Sequence, residues 1–214
     1  MSGQDLTLYS YWRSTTAYRV RIALHLKGVA FQTVPVDLAA GEHSEPAYVA
    51  LNPIKGVPTL VNSDGSVLTQ SLAIMDYLDA IAPDPALLPG DAVQRAQVLA
   101  AALVIATDIH PVNNLRVLKK LKEMGHTQEE CVAWMQHWMA EGLQAFAELI
   151  AADTPFCFGS NPAFADICLV AQLYNAHRWS LQLSPFTRLT EIETRCLALP
   201  AFQAAYPENQ PDVK

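Results

Sequence analysis

The chain has 214 residues, 51% of them hydrophobic and 16% charged, with a formal net charge of −7. That composition excludes a disordered protein, and the acidic balance argues against a nucleic-acid-binding surface. An anionic substrate must then be drawn in by a local basic site, not by the overall field.

Residues 6–11, Leu-Thr-Leu-Tyr-Ser-Tyr, alternate and are rich in aromatics, which predicts a strand. Three hydroxyl residues follow, Ser14, Thr15 and Thr16, and from Ala17 the apolar positions Val20, Ala23 and Leu24 recur at helical spacing. Lys27-Gly28 is a natural helix stop. A helix N-terminus presents unpaired N–H groups and the positive end of its dipole, so it favours an anion. The hydroxyls can cap the helix or donate to a bound thiolate or carboxylate.

Residues 31–36, Phe-Gln-Thr-Val-Pro-Val, read as a second strand, at a sheet edge because Pro35 has no N–H to give. Strand, helix, strand predicts a right-handed parallel βαβ unit. Residues 37–56 read as a loop with at most one short helix near Pro46–Leu51. Residues 57–61 and 67–69 read as a hairpin about an Asn-Ser-Asp-Gly-Ser turn. A helix from Leu72 to Ala82 follows, with Ser71 as its expected N-cap. The order βαβ then ββα, with a proline opening the third strand, is a thioredoxin-like arrangement.

Residues 83–91 hold three prolines and no periodicity, and read as a linker between a domain at 1–82 and another at 92–214. Everything beyond reads as helix: 92–109, a kink at Pro111, continuation over 112–123, a helix opened by the capping box Thr127-Gln-Glu-Glu130, one over about 163–180 and one over 189–197. Cys131, Trp134, Trp138, Gly142, Ala145, Phe146 and Leu149 form a stripe expected in the core. The tail 206–214 is polar and expected to be loosely held.

The four cysteines, Cys131, Cys157, Cys168 and Cys196, lack C-x-x-C or zinc-ligand spacing and read as buried free thiols, and the six histidines are scattered, so no metal is expected. The N-terminus shows no signal-peptide pattern and no apolar run is read as a membrane span; a cytoplasmic protein without membrane or nucleic-acid partners is expected.

A thioredoxin-like α/β domain, a proline linker and an all-α second domain together resemble the glutathione transferases over nearly the whole chain. Residues 14–24, Ser-Thr-Thr-Ala-Tyr-Arg-Val-Arg-Ile-Ala-Leu, look like the zeta-class signature, which usually opens Ser-Ser-Cys. Ala50-Leu-Asn-Pro53, Val57-Pro-Thr-Leu60, Gln70-Ser-Leu-Ala-Ile74, Asp108-Ile-His-Pro111 and Asn113-Asn-Leu-Arg-Val-Leu118 extend the match. The resemblance implies glutathione as cofactor, a homodimer, and cis–trans isomerisation of a maleyl keto acid, maleylacetoacetate first. The implied route is thiolate addition to the alkene, rotation, and elimination through an enolate, which nearby donors or cations stabilise. Alternatives are maleylpyruvate isomerisation, a transferase acting on α-halo acids, or a glutathione-binding protein with little catalysis.

It also implies roles for residues. Val57, before a cis Pro58, pairs with the main chain of the peptide's cysteine; Gln70 and Ser71, at a helix N-terminus, suit the γ-glutamyl carboxylate. His43 stands where a glutathione-contacting Gln is common, and His110 and Asn114 flank a kink whose match contacts ligand or the partner subunit. Ser14 is the expected thiol activator, with Thr15 as second donor and Thr16 a weaker one. Arg13 and Arg178 are the candidates for a dicarboxylate substrate, because bidentate geometry favours arginine; Arg19 and Arg21 are expected in structural ion pairs. Two departures stand out: Thr16 replaces the usual Cys, and Ala163 replaces the Ser or Thr that usually caps the helix carrying a buried Asp166. Loss of such a hydroxyl costs about 1 kcal/mol.

Overall fold

The computed structural model describes residues 6–214, and the chain divides into two compact units: Met1–Ala86 together with Ala198–Lys214, and Leu87–Leu197.

The first unit carries β1 (Leu6–Ser10), α1 (Thr15–Leu26), β2 (Phe31–Pro35), α2 (Pro46–Leu51), β3 (Thr59–Val61), β4 (Val67–Thr69), α3 (Ser71–Ile81) and, from the far end of the chain, α9 (Pro200–Ala205). Its four-stranded sheet has the order β2-β1-β3-β4. β1 and β2 are parallel, with Leu6 opposite Phe31 and Ser10 opposite Pro35, whereas β3 runs antiparallel to both β1 and β4. Pro35 therefore sits on an edge strand, where a missing donor costs no ladder bond. Alternation along β1 buries Leu6, Leu8 and Ser10. Helix α1 is buried almost all round, from Ala17 to Leu24, because α3 and α9 both pack against it. Gly28, at φ 61, supplies the left-handed residue that ends this helix.

Three readings of this unit need correction. The third strand starts at Thr59, after Pro58. Ser71 is the first residue of α3, not its cap; Gln70 holds the cap position with φ 68 and makes no side-chain capping bond. The tail is not loose: the Trp12 N–H donates to the Asp212 carboxylate at 2.9 Å, Gln210 donates to the carbonyls of Ala204 and Tyr206, and Lys214 pairs with Asp37. A polar composition concealed partners that are remote in sequence.

The second unit is helical: α4 (Ala92–Leu103), α5 (Leu115–Glu123), α6 (Gln128–Leu149), α7 (Phe164–Arg178) and α8 (Thr187–Leu197). Asp91 caps α4 by accepting from the N–H groups of Val93 and Gln94. The expected helix to residue 109 changes character at Val104, where a π turn runs to Ile109 and the His110 N–H reaches the Ile105 carbonyl at 2.9 Å. A short 3-10 turn over Pro111–Asn113 follows, and Asn114 caps α5. The run Ala92–Glu123 is long and apolar enough by length and composition to cross a membrane, contrary to the sequence reading. A single such helix is weak evidence for a span; 28% of its apolar window is buried, and Val98, Ala101, Ile105 and Ile109 are among the buried residues.

Both halves of the Thr127–Glu130 capping box form. The buried face of α6 is Cys131, Met135, Met139, Leu143 and Phe146. Trp134 and Trp138 lie beside it, half-buried, along a groove that His126 and His137 also line, and Leu149 is exposed; the core stripe is rotated from the expected one. Asp166 is buried and accepts from the N–H groups of Cys157 at 2.8 Å and Ala163 at 2.9 Å. Ala163 has no hydroxyl to return the bond, so only half a capping box exists there.

Candidate functional site

The turn from β1 into α1 gathers the hydroxyls. Ser14 takes the N-cap position, its Oγ accepting from the Ala17 N–H at 3.2 Å. The same Oγ lies 2.9 Å from Thr16 Oγ1, which donates to the Val57 carbonyl at 2.8 Å. Ser14 and Thr16 are half-buried, whereas Thr15 is 7% exposed and packed. The capping and site readings of Ser14 are thus compatible, since one oxygen accepts from the helix while its proton serves another partner.

The Val57–Pro58 peptide is cis, as the resemblance implies. The loop before it is pinned from α2: the Tyr48 hydroxyl and Asn52 Nδ2 both donate to the Gly56 carbonyl, at 2.6 and 2.8 Å. Val57 therefore presents its backbone from a fixed position beside Thr16.

At the start of α3 the unusual Gln70 backbone sets up the helix N-terminus. A non-glycine residue at positive φ costs of order 1–3 kcal/mol and persists where surrounding structure imposes it, often at a ligand site. Without a capping side chain, the first-turn N–H groups of α3 are available to an anion. Ser71, 5% exposed, is held by Arg19, whose Nη1 approaches Ser71 Oγ at 3.3 Å. His43 lies in a 3-10 turn, Glu42–Ser44, and its Nδ1 is shielded from solvent with no hydrogen-bond partner. Arg13 stacks its guanidinium over the Trp12 ring, 4.9 Å from the centroid.

Arg21 is structural, and carbonyls and a hydroxyl are among its partners. Fully buried, it donates to Ser10 Oγ and to the carbonyls of Tyr11, Trp12 and Ala205. This guanidinium sets the backbone that leads into the hydroxyl turn.

The other sequence candidates belong to the helical unit. His110 ends the π turn, and Asn114 uses its side-chain oxygen to cap α5 through the Arg116 N–H. Asn113, next to Asn114, is 8% exposed with neither amide atom hydrogen-bonded. A buried unsatisfied amide costs about 1–3 kcal/mol, so Asn113 joins the candidate list. Nothing in its local sequence separates it from Asn114 except the proline two residues earlier. Arg178 closes α7, exposed, with its guanidinium 4.8 Å from the centroid of the Trp179 ring. All four cysteines are free and buried; burial, reinforced by Asp166, pushes the Cys157 and Cys196 thiols up. Those two shifts run opposite to the lowered pKa of a reactive thiol. Among the described residues no group of three His, Cys, Asp or Glu could hold a metal ion.

Comparison with known proteins gives consistent results. The family model for the glutathione S-transferase N-terminal domain matches residues 4–80. The maleylacetoacetate isomerase of Pseudomonas aeruginosa is 46% identical over 209 residues, covering 97% of this chain and 98% of its own. A solved structure described as holo maleylpyruvate isomerase, a bacterial zeta-class glutathione S-transferase, superposes with a TM-score of 0.94 at 40% identity, covering 97% of this chain and 100% of its own. The maleylacetoacetate isomerase of Anaeromyxobacter dehalogenans, solved with dicarboxyethyl glutathione and citrate in the active site, gives a TM-score of 0.89 at 39% identity, covering 100% of this chain and 96% of its own.

Proposed function

This chain belongs to the glutathione transferases, in the zeta-class group that contains the maleylacetoacetate and maleylpyruvate isomerases, and from that premise we propose that it is a glutathione-dependent cis–trans isomerase converting maleylacetoacetate to fumarylacetoacetate. The observation that carries the reading is the cluster of Ser14, Thr16 and the Val57 carbonyl, joined by hydrogen bonds of 2.9 and 2.8 Å at the N-terminus of α1. A maleylpyruvate substrate is the second reading, favoured by the fit to the structure of that name.

The residues present fit glutathione. The orphaned Nδ1 of His43 is a ready partner for a polar ligand group, and the uncapped first turn of α3 suits a carboxylate. Val57 offers a backbone partner for a peptide, and Ser14 a hydroxyl at a positive helix end. We assign glutathione to Ser14, Thr15, His43, Val57, Pro58, Gln70 and Ser71, and keep His110 and Asn114 as further candidates for it.

When bound, glutathione supplies the thiolate whose reversible addition to the conjugated double bond permits rotation about it. An ordinary thiol with a pKa of about 8.5 is mostly protonated at neutral pH. Ser14 donates to sulfur and thereby favours its ionised form, aided by the dipole of α1. Arg13 and Arg178 are assigned to the substrate carboxylates, where a guanidinium also favours negative charge developing on the carbonyl oxygen.

We further assign a homodimer, supported by the exposed Val93 and Leu103 on α4, and a cytoplasmic location, supported by four free thiols in a chain without disulfides among the described residues. Light scattering of the purified protein tests the first.

The deciding experiment follows the loss of maleylacetoacetate and maleylpyruvate absorbance with and without glutathione, in the native enzyme and in Ser14→Ala. Glutathione-dependent turnover that drops about 100-fold or more in the variant is expected, the size of a lost key donor. Turnover independent of glutathione, or none with either compound, overturns the reading; preference for maleylpyruvate selects the second substrate.

A further inference from the structure

Counting protons at the hydroxyl turn shows that Ser14 is not aimed at a ligand in this arrangement. A hydroxyl has one proton to donate, and a carbonyl only accepts. Thr16 must therefore spend its proton on the Val57 carbonyl, 2.8 Å away. In the 2.9 Å contact between Ser14 Oγ and Thr16 Oγ1, Ser14 must then be the donor. Ser14 Oγ in turn accepts from the Ala17 N–H. The result is one directed chain: Ala17 N–H to Ser14, Ser14 to Thr16, Thr16 to the Val57 carbonyl. All three protons in the chain are committed to partners within the protein.

We propose that Thr16 is a positioning residue that couples the Val57 backbone subsite to the Ser14 proton. The proposal rests on the reading of Ser14 as the thiolate's donor. A backbone N–H arriving at Val57 gives that carbonyl a second donor, so the carbonyl no longer depends on Thr16. Thr16 is then released to turn its proton to Ser14 Oγ, and Ser14 turns its own proton toward the sulfur. The reversal consists of two rotations about C–O bonds, with no heavy atom displaced and no proton gained or lost. The Val57 carbonyl keeps a donor in the incoming N–H and Ser14 Oγ gains one from Thr16, while Thr16 Oγ1 gives up the proton it accepted from Ser14, a loss set against the new bond from Ser14 to sulfur. The reversed chain also makes Ser14 a stronger donor, because a hydroxyl that accepts a hydrogen bond from another hydroxyl is polarised toward its own acceptor. A hydroxyl at position 16 does this well; a thiol, a weak donor, does it poorly.

A merely structural Thr16 would tie the N-terminus of α1 to the loop before Pro58 and nothing more. The two roles separate in the ionisation of bound glutathione, read from the thiolate ultraviolet absorbance against pH. The set is the native enzyme, Thr16→Val, Thr16→Ser, Thr16→Cys and Ser14→Ala. Affinity for S-methylglutathione, which keeps the backbone but cannot ionise, is measured in parallel. Thr16→Val is expected to raise the bound-thiol pKa by about one unit, a tenfold loss of thiolate at a pH below both values. Thr16→Ser is expected to restore the native value, and Thr16→Cys to fall between them. S-Methylglutathione affinity should change less than threefold. An unchanged or lowered pKa in Thr16→Val, or in Thr16→Cys if the valine variant does not fold, overturns the relay, as does failure of the serine variant to restore it. If Thr16→Val leaves the pKa alone while Ser14→Ala raises it, only the relay falls. If Ser14→Ala also leaves it unchanged, the donor role of Ser14 falls with it.

Discussion

Arg21 Nε donates to the carbonyl of Ala205 at 3.1 Å, joining residues 184 positions apart. Its Nη1 and Nη2 reach Ser10 Oγ at 3.0 Å and the Trp12 carbonyl at 2.9 Å. One fully buried guanidinium thus ties the end of β1, the approach to Ser14 and helix α9 together. Removing it strands several buried acceptors, each costing about 1–3 kcal/mol. Arg21→Met is expected to lose more than about 3 kcal/mol in urea unfolding, and Arg21→Lys, which lacks the fork, nearly as much. A native denaturation midpoint in either variant would show that the tether contributes little.

Gly142 explains how α6 approaches the π turn so closely. A Cβ at this position would lie 2.2 Å from Ile109 Cγ1 and 2.5 Å from its Cδ1, and Ile109 is completely buried. Gly142→Ala is therefore expected to destabilise by about 1–3 kcal/mol, the range for overpacking, despite the better helix propensity of alanine. Ile109→Ala alone opens a cavity worth about 2–5 kcal/mol. Combined, the two should cost less than their sum, because the new methyl occupies the vacated space. Strict additivity in the double-mutant cycle would contradict the close approach.

Burial raises the pKa of Asp166, and its hydrogen bonds from Cys157 and Ala163 offset that only in part. A carboxyl whose folded value lies above its unfolded one stabilises the fold most below the unfolded pKa. That contribution is lost as pH rises through the raised folded value. Glu193, whose pKa burial also raises, adds a slope of the same sign. Asp166→Asn should be less stable than the native enzyme, since an amide accepts poorly from two N–H groups. The deficit should be largest near pH 4 and shrink toward neutrality, measured by urea unfolding across pH. A deficit that grows with pH would mean that the folded-state pKa is depressed.

Arg178 sits exposed at the end of α7, stacked on Trp179, so replacing it should not unfold the protein. Arg178→Ala is expected to raise KM for maleylacetoacetate about tenfold, with a smaller effect on kcat and none on the ionisation of bound glutathione. Steady-state kinetics together with the thiolate titration checks this. A shifted thiol pKa would move Arg178 from the substrate to the sulfur.

His43 offers the complementary test for the cofactor. Its orphaned Nδ1 predicts that His43→Ala weakens glutathione binding by roughly 5- to 30-fold, the size of one hydrogen bond to a charged or polar group. His43→Gln should retain most of the affinity. Calorimetric titration with glutathione measures both; unchanged affinity in the alanine variant would remove His43 from the site.

Much of this protein was determined locally and could be read from the sequence alone. Ser14 before a helical repeat, Gly28 behind one, Thr127 paired with Glu130 and Pro35 in an edge strand act through neighbours a few residues away. Their physics survives in any chain carrying the same string, and the ordered motifs from Ser14 to Leu118 pointed to the family. The tertiary structure decided what depends on partners remote in sequence. The direction of the Ser14 proton follows from Thr16 meeting Val57, the tethering of α9 from Arg21 meeting Ala205, and the unexpected anchoring of the tail from Trp12 meeting Asp212. Which face of α6 is buried was likewise undecided by periodicity, because tryptophans and methionines at helical spacing offer two adjacent apolar faces. Packing chose the methionine face, with Gly142 admitting Ile109 alongside it. A hydrogen bond or close contact across the fold carries a large energy but leaves no periodic trace in the chain, and for that reason it becomes visible only once the chain has closed on itself.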